Sequence, residues 1–107
     1  MSESEFLGQV VALARLCGWL VYHALPGRTA RGWRSGTQGD PGFPDVLAVH
    51  ARRGLAVACE LKVGRKKPTP GQTQWVLALR AAGVQAHVFT EKDWPAIEAL
   101  LKGEDTP

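Results

Sequence analysis

At 107 residues, 45% of them hydrophobic, the chain has enough apolar material for one core and too little length for two domains. Thirteen lysines and arginines against ten acidic residues leave a formal net charge of +3, a mild basic excess that suits a polyanionic partner. Cys17 and Cys59 lie far apart in apolar runs, without a Cys-x-x-Cys pair or a regular Cys/His spacing, which excludes the common zinc arrangements and points to two buried free thiols. No apolar run reaches the ~18 residues of a membrane span. The opening "MSESEFLGQVVALARL" lacks a basic start and a small-residue cleavage site, so a cytoplasmic protein with no membrane partner is expected.

The first segment, "SESEFLGQVVALARLCG", places Phe6, Val10, Leu13 and Cys17 on one stripe with Leu7, Val11 and Ala14 beside it, and stops at Gly18 as an amphipathic helix would. Trp19 to His23, "WLVYH", is short, apolar and β-prone. The following "ALPGRTARGWRSGTQGDPGF" is too long for an ordinary connection and reads as a functional loop carrying Arg28, Arg31, Trp33 and Arg34. "PDVLAVH" and "LAVACELK" are two strands joined by "ARRG", a link of hairpin length. "RKKPTPGQ" is a basic turn into the helix "GQTQWVLALRAAG", on which Trp75, Leu79 and Ala82 recur at helical spacing before Gly83. "VQAHVFT" is the last strand, and Asp93 is the expected N-cap of a closing helix in "DWPAIEALLKG". The predicted order is α-β-β-β-α-β-α, a single domain over residues 1–103 with a short tail at 104–107.

The hairpin puts three charges where burial is expected. With residues 51–54 as the loop, His50 faces Leu55, and counting back sets Asp45 opposite Glu60 on one face, their Cβ atoms roughly 5 Å apart. Strand alternation adds Lys62 to that face. Two carboxylates so close repel unless a cation lies between them, and hard oxygen donors favour Mg²⁺ or Mn²⁺, ions that keep waters able to attack a phosphodiester. A bulge would shift this register by one, and a lone Glu-x-Lys is more often a solvated edge or a salt bridge. On the first helix Glu3 falls on the stripe of Phe6 and Val10, whereas Glu5 shares the other side with Gln9 and Ala12. Only Glu3 faces inward, either as a third member of a metal site or as a complement to the helix dipole.

"GFPDV", then "CELK", then "PGQTQW" resemble, in this order, the VRR-NUC branch of the PD-(D/E)XK nucleases, particularly its small stand-alone phage and bacterial versions. The likeness extends from "SESEF" and "GWLVYH" to "DWPAIEALL". It implies an α/β, restriction-endonuclease-like PD-(D/E)XK core, a mixed β-sheet flanked by helices, and Mg²⁺- or Mn²⁺-dependent endonucleolytic cleavage of DNA inside a bacterial or phage-infected cell. It also implies that Asp45 and Glu60 bind the metal, that Lys62 orients or activates the attacking water, that Glu3 is the helix carboxylate, and that Gln72 supports the site from the side. Stand-alone members look like homodimers acting on branched DNA such as Holliday junctions, which implies a second copy and paired nicks.

Several residues keep two readings. Gln72 suits a helix cap equally well, and Trp75 suits core packing. His23 either donates a hydrogen bond to a phosphate or is a structural histidine, as His50 and His87 are expected to be. Arg28, Arg31, Arg34, Arg65, Lys66 and Lys67, with Arg52 and Arg53, offer sequence-independent phosphate contacts or are solvated charges. Trp33 is a candidate for the dimer contact or for strand separation, or packs on its own loop. The competing function is a catalytically silent nucleic-acid-binding module on the same fold, and a third reading makes the ExK charges a structural salt bridge. A binding module has no need of paired carboxylates beside its polyanion, which favours the nuclease.

Overall fold

The computed structural model of the chain describes residues 1–24 and 39–103, and the backbone of two short strands between them. The side chains of Arg28 and Trp33, residues Arg31 and Arg34, and the tail at 104–107 lie outside the described residues. The elements follow as α1 (Glu3–Leu16), β1 (Leu20–His23), the short pair β2 (Arg28–Thr29) and β3 (Gly32–Trp33), β4 (Val46–His50), β5 (Leu55–Lys62), α2 (Pro70–Ala81), β6 (Gln85–Thr90), a 3-10 turn (Glu91–Asp93) and α3 (Trp94–Lys102).

The starts of α1 and α2 are written in the sequence. Ser2 Oγ accepts from Glu5 N at 3.0 Å while Ser2 N donates to Glu5 Oε1 at 3.0 Å, a reciprocal box that opens α1. Phe6, Val10, Val11 and Ala14 are its buried stripe. Thr69 and Gln72 form the same box ahead of α2, where Pro70 gives up only an amide that the first turn would leave free.

The four long strands lie in the order β1-β4-β5-β6, with β1, β4 and β5 antiparallel and β6 parallel to β5 through the α2 crossover. Helices α1 and α3 pack on the face that carries Val46, Ala48, Val57, Cys59 and Leu61. Helix α2 covers the other face, over Ala58 and Ala86. The β4–β5 ladder runs without a bulge from His50 opposite Leu55 to Val46 opposite Cys59, so its continuation sets Asp45 against Glu60. This mixed sheet between helices is the restriction-endonuclease-like order expected, with β2 and β3 added inside the long connection.

Some local expectations are corrected. The buried residue of α2 is Val76, not Trp75 or Ala82: it packs with Ala58 and Ala86, and Leu47, Leu79 and Val88 complete that contact. Trp75 instead leans on Phe43, edge to face at 5.1 Å, and its Nε1 donates to Asp40 O at 3.2 Å. Trp19 precedes β1, with Nε1 donating to Leu101 O at 2.9 Å. Arg53 is structural: its guanidinium lies 5.2 Å over the Trp19 ring and donates to Leu100 O at 3.1 Å, closing the end of α3. Asp93 makes no cap bond to α3, because its Oδ2 accepts from Thr90 N at 2.8 Å within the 3-10 turn. Cys59 is buried, but Cys17, at the end of α1, is only half-buried.

The turn before β4 is held by close backbone contact. Gly42 has φ 103°, and a Cβ there would come 2.5 Å from the carbonyl carbon of Gly71 in the first turn of α2. Gly42→Ala is expected to lower stability by about 2–4 kcal/mol, combining left-handed strain with a backbone clash. Gly54→Ala, with φ 66° in open space, should cost about 1 kcal/mol. Urea denaturation of both variants checks the ranking, and equal losses would show that the turn is free to move away.

Candidate active site

At one edge of the sheet β1 and β5 end while β4 begins, and a cleft of about 660 Å³ opens there against α1 and the start of α2. Asp45, Glu60 and Lys62 are all in its lining. Strand β5 is covered on both faces, so Glu60, pointing into that covered region, is 1% exposed. Its Oε2 lies 3.3 Å from Lys62 Nζ, on a side chain 12% exposed. Its Oε1 is enclosed and has no hydrogen-bond partner. Asp45 Oδ2 accepts from Leu61 N at 2.8 Å, which pins that carboxylate at the end of the hairpin.

Burial, and after it the Asp45 charge, push the Glu60 carboxyl up to about 7, with Lys62 acting in the opposite direction. An acid whose folded pKa is raised binds its proton more tightly folded than unfolded. Its ionisation therefore costs stability as pH rises from about 4.5 to about 7. On the other face of β5, burial and the Asp45 charge raise the Cys59 thiol to about 12, so it is no nucleophile.

These residues fit a hard divalent cation. The neighbouring carboxyls of Asp45 and Glu60 both line the cleft, and the unpartnered Oε1 has the unfilled acceptor capacity that a cation would satisfy. Glu3 is in the cleft lining but stands at its rim, where its half-exposed carboxylate is 3.9 Å from Lys66 Nζ. Among the described residues no three His, Cys, Asp or Glu side chains gather as a metal cluster, so a cation held by Asp45 and Glu60 would complete its shell with water. Glu5 is engaged in the α1 capping box.

Gln72 also lines the cleft, and its Oε1 accepts from Thr69 N at 2.8 Å, so the capping reading of this residue holds. His23 borders the cleft from the end of β1. His50 accepts from Arg53 N through Nδ1 at 3.2 Å and meets Trp19 edge to face, while His87 stacks on Phe89 at 4.9 Å, and neither is in the cleft lining. Arg65, Lys66 and Lys67 are exposed on the loop that leaves β5. The sequence reading passed over Arg15, which lines the cleft from the last turn of α1. Its signal is the flank Ser4, Gly8, Ala12, Arg15, where small residues at helical spacing leave the wall low beneath one long cation.

No family model and no curated protein matches the chain. Among solved structures it is similar to a VRR_NUC domain, at 24% identity and a TM-score of 0.59, over 92% of this chain and 96% of that one. It is also similar to Hjc, a Holliday junction resolvase from the hyperthermophilic archaeon Archaeoglobus fulgidus, at 16% identity and a TM-score of 0.54. That match covers 81% of this chain and 66% of the resolvase, so the chain spans just under two thirds of the resolvase's length. With its mixed sheet between helices and the charged ends of β4 and β5 at one edge, the chain has the VRR_NUC fold.

Proposed function

We propose that the protein is a VRR-NUC nuclease of the PD-(D/E)XK type, a divalent-metal-dependent endodeoxyribonuclease that acts on branched DNA such as Holliday junctions. One observation carries the reading. Asp45, Glu60 and Lys62 converge in a cleft, and a buried oxygen of Glu60 has no partner, whereas a purely structural buried ion pair needs its remaining lone pairs filled.

Asp45 and Glu60 would hold Mg²⁺ or Mn²⁺, and Glu3 would add only negative charge at the rim. When bound, the cation polarises the scissile phosphate and makes a water acidic enough to attack it. Lys62 is held in place by Glu60, so its ammonium is already oriented to offset the charge that grows on the phosphate oxygens in the transition state. Gln72 fixes the first turn of α2 beside these groups. Arg65, Lys66 and Lys67 lie next along the chain and supply phosphate contacts. The fold shared with a Holliday junction resolvase supports a branched substrate. A homodimer would set two sites against two strands of opposite polarity.

Labelled four-way junction, linear duplex and single-stranded DNA, each incubated with Mn²⁺ or with EDTA, test the proposal. Paired nicks in the junction are expected with Mn²⁺ and none with EDTA, from a protein that light scattering reports as a dimer. Binding without cleavage in any divalent metal would favour the silent module instead. Lys62→Ala should lower the cleavage rate by about 10³-fold while changing DNA affinity no more than about twofold, because one ammonium adds little to the many ground-state phosphate contacts. Cutting at the parent rate would remove Lys62 from the chemistry.

Thermal melting isolates the metal. In EDTA at pH 8, Glu60→Gln should melt at or above the parent temperature, since the raised pKa of Glu60 means that its ionised form costs stability there. Mn²⁺ at 100 times its Kd should stabilise the parent by about 2.7 kcal/mol and leave Glu60→Gln unmoved. A Mn²⁺ shift that survives in the variant would place the ion elsewhere.

A further inference from the structure

Among the described residues two buried side-chain atoms lack a partner, Glu60 Oε1 and His23 Nδ1, and both belong to residues lining the same cleft. The proposed cation accounts for the first and leaves the second without a role. A buried N–H without an acceptor is rarer and more costly than a bare ring nitrogen, so His23 keeps Nδ1 bare and carries its hydrogen on Nε2. Its partial exposure leaves that second nitrogen as the one available to a ligand.

Arg15 is the other unexplained group. It is exposed, lines the cleft, and has no hydrogen bond or ion pair among the described residues. Glu3 and Arg15 both line the cleft from opposite ends of α1, about 18 Å apart along the helix at 1.5 Å per residue. One phosphate cannot bridge that length, and a strand with a charge about every 3.4 Å can.

We propose that His23 and Arg15 clamp the DNA strand against the α1 wall of the cleft. Nε2–H of His23 donates to a phosphate oxygen beside Asp45 and Glu60, and the Arg15 guanidinium pairs with a phosphate farther along the same strand. The clamp rests on the nuclease reading and adds to it the path of the bound strand. One contact is neutral and the other charged. Salt therefore separates them, because only a cation that neutralises a phosphate releases counterions.

The test uses the Lys62→Ala protein, which keeps its DNA uncut, with fluorescence anisotropy of a labelled four-way junction in Mn²⁺ from 50 to 200 mM NaCl, on the order of the range over which phosphate contacts are resolved. Adding Arg15→Ala should weaken binding about 10-fold and reduce the slope of log affinity against log salt by about 0.9, and Arg15→Lys should restore the slope. Adding His23→Ala should weaken binding about 5-fold with the slope unchanged, and His23→Gln should recover it, since an amide nitrogen can stand in for Nε2. Arg15→Ala with unaltered affinity and slope, or His23→Ala that binds like its parent or changes the slope, would overturn the clamp while the nuclease reading stands. A Lys62→Ala protein that binds no DNA would overturn both.

Discussion

A carboxylate buried in a doubly covered strand is the condition to which the rest of this molecule is fitted. Strand β5 lies between β4 and β6 and under helices on both faces, so the Glu60 side chain is almost wholly buried and meets only the floor of the cleft. An ionised side chain there is tolerable only with partners built in, and Glu60 has half of them. Lys62, two residues on and so on the same face, supplies one. Asp45, brought opposite by the hairpin, adds repulsion and leaves the pair short of positive charge.

The scaffold around the pair keeps it from relaxing. Asp45 is tied to the backbone of β5 through Leu61 N, and the turn ahead of it is packed onto α2 at Gly42 and Gly71 and bonded to Trp75 through Asp40. On the other side of the site, Gly64 N donates to both oxygens of Glu91, joining the loop after β5 to the turn after β6. The charged groups thus sit on strand ends, with the segments on either side anchored to neighbouring elements, the kind of support that holds a reactive constellation in place.

The part of this arrangement set by alternation and turn length was legible in the sequence. Four residues of "ARRG" fix the hairpin, the hairpin fixes the register, and the register places Asp45, Glu60 and Lys62 together. The starts of α1 and α2 were equally open to reading, because Ser2 with Glu5 and Thr69 with Gln72 are local pairs, whereas the cap expected at Asp93 gave way to the 3-10 turn before α3. Contacts made across the fold were not. That Trp75 braces a loop rather than filling the core depends on Phe43 and Asp40, more than thirty residues earlier in the chain. Arg53 and Trp19 meet α3 from distant parts of the chain, and nothing near either residue announces it. Arg15 is a middle case, flanked by small residues at helical spacing but placed in the cleft only by where α1 lies against the strand ends.

The buried thiol on β5 offers a way to observe these strand ends without any substrate. Cys59 adjoins Glu60 in sequence, is 4% exposed, and is held protonated to about pH 12. In the closed protein it is therefore inert to alkylating reagents, and it becomes reactive only when β5 parts from its neighbours. Cys17, half-buried at the end of α1, supplies an internal reference for reagent access. The ratio of labelling at the two cysteines measures how often the central strand opens, and its response to an added divalent cation would tell whether an ion fastens the strand that carries Glu60.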